Sequence, residues 1–163
     1  MSRQSSVALL LVTATCLTTS AQAGQACEQK AADPQAVSEG MALAVATAKA
    51  LDASGANVVM LARAGQHLSA YRLNYSHLGF AYLDTGGAKA VWCVLHRLNH
   101  CGTATSALYR QGLGEFFLDR PHRFEAAFVA LTPELQSRLL PLNEVRYSMV
   151  AYASGQTCQQ SNQ

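Results

Sequence analysis

The chain has 163 residues, half of them apolar and only 13% charged, with a formal net charge of +2 at pH 7. That length supports one domain with a sizeable core and is short for two. No basic patch interleaved with aromatics occurs, so nucleic acid is not an expected partner.

The N-terminus reads Met1-Ser2-Arg3, then an apolar run from Val7 to Val12, then Ala21-Gln22-Ala23. A positive charge, a short apolar stretch and a small-x-small site are the three parts of a secretory signal peptide. The run is too short and too rich in Thr to anchor in a bilayer, which takes about 20 apolar residues. Residues 1–23 are therefore expected to be cleaved, leaving a single α+β domain over 24–163. The expected location is periplasmic or extracellular, with no membrane span after cleavage.

Four cysteines survive that processing: Cys27, Cys93, Cys101 and Cys158. Cys27 and Cys158 lie in polar terminal segments and are candidates for a disulfide that ties the ends, although four cysteines allow three connectivities. Cys93 sits in an apolar strand, where a buried inert thiol is expected. Cys101 is then left over, and an unpaired thiol in an exported protein calls for an explanation.

Asp33 as cap and Pro34 at the first turn open an Ala-rich helix that runs to Ala53. Val37, Met41, Val45 and Ala48 give it an apolar stripe suited to packing on a sheet. Ser54-Gly55-Ala56-Asn57 breaks the helix, Val58 to Ala62 forms a short strand, and a polar loop follows through Gly65-Gln66-His67. Tyr75 to Leu83 and Lys89 to Leu98 are the clearest strands, with Asp84-Thr85-Gly86-Gly87 as a hairpin signal between them. Cys101 to Leu113 reads as a helix with Cys101, Ala104 and Leu108 on one face. Phe124 to Leu131 reads as a strand, Thr132-Pro133-Glu134 as a helix start and Arg146 to Tyr152 as a last strand. This order implies an α+β fold with a largely antiparallel sheet packed against helices.

Two segments carry the chemistry. If Leu83 pairs with Ala88 across the hairpin, His77 falls opposite Val94 and His96 becomes its diagonal neighbour on the same face. A slip of one residue would part them. Cys101 at the start of a helix would gain from the partial positive charge there, which lowers a thiol pKa. An imidazole nearby takes the proton and a second orients the first.

Tyr75-Ser76-His77-Leu78-Gly79-Phe80, Leu98-Asn99-His100-Cys101-Gly102-Thr103, Ser106 to Leu113 and Arg146 to Tyr152, with Ala62-Arg63-Ala64-Gly65-Gln66, resemble one family of secreted bacterial proteins of unknown function. Relatives in that family run on into a Trp-led apolar segment, which leaves open a C-terminal truncation of this chain after Gln163. A remoter resemblance covers about 30 residues. A Ser-His-x-Gly-aromatic strand, a strand ending in His and then Asn-x-Cys is similar to circularly permuted NlpC-type papain-like hydrolases, which include lecithin-retinol acyltransferase-like enzymes. That likeness implies a permuted papain-like arrangement, with Cys101 as nucleophile, His77 as base and His96 as orienting residue. The sequence departs from it at His100, which separates Asn99 from Cys101.

These readings lead to an exported cysteine hydrolase or acyltransferase acting on an amide or ester of the cell envelope, with an envelope peptide or lipid as substrate. Gly102, Asn99, Tyr75 and Arg63 are the candidates for substrate or oxyanion contacts. The competing class is a non-catalytic envelope binding domain on the same scaffold. In that reading His77 is a core histidine, and Cys101 is a structural thiol or a disulfide partner of Cys93, Cys27 or Cys158. His77, His96, His100 and Cys101 are ligand types suited to zinc, but no metal-site spacing occurs. No metal and no cofactor is expected. His67 and His122 read as surface residues, and Arg63 reads equally well as a surface charge at a strand end.

Overall fold

The computed structural model describes residues 33–100, 105–119 and 121–139. They form helix α1 (Pro34–Ser54), strands β1 (Val58–Arg63), β2 (His77–Asp84), β3 (Val91–Asn99) and β4 (Ser106–Gly112), helix α2 (Leu113–Leu118), strand β5 (Ala126–Ala130) and helix α3 (Pro133–Leu139). The five strands make one sheet in the order β4-β3-β2-β1-β5, with every neighbouring pair antiparallel. The α+β class expected from the sequence is the class observed.

Local signals explain the ends of α1. The Asp33 carboxylate accepts from the Gln35 amide at 3.1 Å, Pro34 opens the first turn, and Gly55 closes the helix with φ +67°. The buried face, however, is Gly40, Ala44, Thr47 and Leu51, not the expected stripe; Met41 and Val45 are exposed. Small residues win because α2 lies close: a Cβ on Gly40 would come within 3.0 Å of Leu118 and 3.4 Å of the Phe117 carbonyl.

One sheet face packs on α1 and α2. Val59, Leu61, Ala81, Trp92 and Val94 meet Leu51, Leu113, Phe116 and Phe117 there. Fully burying a side chain of the size of Phe116 contributes about 1.5–3 kcal/mol. On the other face Val58, Tyr82, Cys93 and Leu95 form a smaller cluster with Leu131 and Leu139. The Arg110 guanidinium, 2% exposed, pairs with Asp84 beside that cluster.

The β2–β3 register differs from expectation. Leu83 pairs with Trp92, not Ala88, and Gly79 lies opposite His96. The Asp84 carboxylate accepts from the Gly86 amide at 3.0 Å, so the turn starts later and is longer than a two-glycine hairpin. The Trp92 indole donates to Asp52 of α1 at 2.7 Å, which pins the strand in this register. The shift is an even number of residues, so no side chain changes face and the two histidines stay diagonal neighbours.

The segment read as a helix from Cys101 is, from Ser106 to Gly112, strand β4, paired along its whole length with β3. Gly112, expected to end a helix, instead precedes one. Neither face of Ser106–Gly112 is uniformly apolar, so no period-2 pattern betrays the strand; cross-strand partners decide it. Residues 101–104 lie outside the described residues. With β4 in place, the expected helix does not run through 106–112. Cys93 is not a free thiol either: it is disulfide-bonded, and no second cysteine falls among the described residues. The expected strand at 146–152 also lies outside them. Among the described residues no helix is long and apolar enough to cross a membrane.

Candidate functional site

The covered sheet face carries a polar chain at one end. Arg63 closes β1 directly opposite His77, which opens β2, and His96 approaches the end of β3. His77 Nε2 lies 2.7 Å from His96 Nδ1, and the rings meet edge to face with centroids 5.0 Å apart. His96 Nε2 lies 2.8 Å from Gln111 Oε1 on β4. The chain thus runs from a half-buried imidazole through one that is 3% exposed to an amide.

Gly79 makes the approach possible. A Cβ there would sit 2.7 Å from Val94 Cγ1, 3.0 Å from His96 Cβ and 3.1 Å from the Leu95 carbonyl. The absent side chain leaves room for the His96 ring to lean across β2 toward His77.

Phe116 of α2 roofs the group, with its centroid 5.8 Å from His77 and 5.2 Å from His96. Arg63 stacks over the same ring at 5.1 Å and donates to the Asp119 carboxylate at 2.5 Å and to its carbonyl at 2.6 Å. Arg63 is 3% exposed, so its reading as a surface charge is corrected. Its Nε has no hydrogen-bond partner among the described residues.

Burial sets the protonation of both imidazoles. Desolvation, then repulsion from Arg63, holds His77 below its usual pKa of 6.5, with Asp119 acting the other way. Desolvation, then the neighbouring His77, pushes His96 down to about 4, against the opposing effect of its hydrogen bond to the Gln111 amide oxygen. Both rings are therefore neutral at pH 7 and able to accept a proton.

His77, His96 and Arg63 are thus brought together. Tyr75 is not part of the group: its hydroxyl donates to Glu125 at 3.0 Å, and that hydrogen bond raises its pKa. Asn99 is exposed and pairs with Ser106 at the end of the β3–β4 ladder. Cys101, Gly102, Cys27 and Cys158 lie outside the described residues, so the expected approach of the Cys101 sulfur to His77 falls there too. His67 and His122 are exposed, as expected, with rings 4.4 Å apart. Sequence reasoning missed Gln111, Phe116 and Asp119. Once 106–112 is taken as a strand, Gln111 shares its face with Tyr109, which is paired with His96, and that placement was the signal available.

Among the described residues no three His, Cys, Asp or Glu side chains gather as a metal would need. The features together define a small α+β domain with a hydrogen-bonded pair of imidazoles at one end of its sheet. Residues 50–163 match a family described as uncharacterized proteins conserved in bacteria, DUF2145, and the chain belongs to that family. Neither a curated protein nor a solved structure matches the chain.

Proposed function

We propose that this is an exported thiol hydrolase or acyltransferase acting on an amide or ester of the cell envelope, with Cys101 as nucleophile and His77 as base. The observation that carries the reading is the hydrogen-bonded series His77–His96–Gln111, a base held by a second residue that is itself held by a third. His100 and Thr105, which flank the segment containing Cys101, are joined at 2.8 Å at the end of the sheet where β2 begins with His77. With β4 in place over 106–112 and His77 neutral, the fitting route is general-base catalysis and not a preformed thiolate–imidazolium pair. Cys101 attacks the carbonyl carbon as His77 takes the thiol proton. His77 then returns that proton to the leaving amine or alcohol, and water or an acceptor alcohol releases the acyl group.

The reach of the chain keeps Cys101 out of the Cys93 disulfide. Cys93 and Asn99 are six positions apart on β3, about 20 Å at 3.3 Å per residue. Two further residues recover at most about 7 Å. Disulfide Cα separations stay below roughly 7 Å. A disulfide at Cys93 also suits an oxidising compartment, which supports the signal peptide expected from the sequence and a periplasmic or extracellular location. The permuted papain-like likeness remains part of this proposal.

A second reading, a non-catalytic envelope binding domain, is favoured by one observation: β4 replaces the helix whose N-terminus was to activate the thiol. Cys101→Ser separates the two. As an enzyme, the variant loses turnover of envelope amides or acyl esters while its melting temperature moves by no more than about 2 °C, because serine preserves volume and removes only the easily ionised sulfur. An intact phenotype, or Cys101 found in a disulfide in protein purified without reductant, overturns the enzyme reading.

A further inference from the structure

Gln111 does more than fill space beside His96. It lies on β4 opposite Val94, on the helix-covered sheet face, with its Oε1 2.8 Å from His96 Nε2. An amide oxygen only accepts, so His96 Nε2 carries a proton. A neutral imidazole has one N–H, so His96 Nδ1 then offers a lone pair to His77 Nε2 at 2.7 Å. His77 Nε2 in turn must be the protonated nitrogen of its ring. What remains is His77 Nδ1, and no hydrogen bond to it occurs among the described residues.

We propose that Gln111 is a positioning residue that sets the tautomer of both histidines and so makes His77 Nδ1 the proton-accepting atom of the site. The proton order runs His77 Nε2–H to His96 Nδ1, then His96 Nε2–H to Gln111 Oε1. The charged groups that face this chain are Arg63 from β1 and Asp119 just after α2, and they pair with each other. The two charges of that pair act in opposite directions on both imidazoles, and the neutral state of His96 keeps the order fixed. The catalytic use of His77 Nδ1 rests on the proposed function; the proton order itself does not.

Histidine-selective long-range proton–nitrogen spectra of the full chain at pH 7 read the tautomers directly. Both His77 and His96 should appear with Nε2 protonated and Nδ1 bare. Gln111→Leu removes the acceptor at similar volume, and His96 should then populate both tautomers. Gln111→Glu keeps the acceptor and adds a charge that should raise the His96 pKa by about one to three units. When that variant is acidified below pH 7, His96 becomes an imidazolium, and its Nδ1–H then donates to His77, whose proton moves from Nε2 to Nδ1. A wild-type His96 protonated at Nδ1 overturns the proposal and needs no variant to observe. Unchanged tautomers in Gln111→Leu overturn it as well. The predicted tautomers without any thiol-dependent turnover would refute the enzyme reading and leave the role of Gln111 standing.

Discussion

Gly79→Ala tests whether the approach of the two histidines depends on a bare backbone. The new methyl would lie 2.7 Å from Val94 Cγ1, 3.0 Å from His96 Cβ and 3.1 Å from the Leu95 carbonyl oxygen. None of these atoms is the far end of a flexible side chain. Val94 is fully buried and stiff at χ1, and the Leu95 carbonyl belongs to β3, which is paired on both sides. Strain of this kind in a packed interior costs about 1–3 kcal/mol, and three simultaneous contacts place this site toward the upper end. At about 2–3 kcal/mol the melting temperature of a domain this size falls by roughly 6–12 °C. The strand must also move away from β3 at the point where His96 crosses it, so the His77–His96 hydrogen bond should lengthen. Thermal unfolding reads the first effect and the histidine proton–nitrogen spectra the second. A Gly79→Ala protein that melts within about 1 °C of wild type with unchanged histidine tautomers would refute the reasoning.

Gly114→Ala is the matched contrast: among the described residues the added methyl meets only the Met41 side chain, at 3.0 Å from its sulfur, which is flexible enough to move aside. In a helix the change should be neutral or stabilising by up to about 1 kcal/mol, measured by the same melts. Acidification should weaken the fold. His96 binds its proton near pH 4 in the folded chain and near 6.5 when unfolded, so the unfolded state holds more protons between those values. Stability is full above pH 6.5 and falls as the pH drops toward 4, by about 3 kcal/mol in all. Urea titrations across that range should show the loss in wild type and most of it abolished in His96→Gln. Asp119→Asn should destabilise by about 1–2 kcal/mol, below the usual figure for a broken buried pair, because Asp119 is half exposed and its carbonyl still accepts from Arg63. Non-reducing peptide mapping should recover Cys93 cross-linked to a cysteine other than Cys101.

The amino-acid sequence by itself determined the elements whose signals are local. Asp33, Pro34 and Gly55 mark the ends of α1 through capping and a left-handed residue, which need no distant partner. Strand composition placed β1, β2, β3 and β5, and the period of two put His77 and His96 on one face even though the assumed register was wrong. Only the tertiary structure decided the rest. Which stripe of α1 is buried depends on how closely α2 packs at Gly40. Whether 106–112 is helix or strand depends on the hydrogen bonds that β3 offers along its edge, because the segment has no periodicity strong enough to choose. Gln111 and Asp119 join the site for the same reason. A polar side chain becomes an acceptor for a buried imidazole or guanidinium only when another segment of the chain brings that group to it, and no local pattern records the meeting.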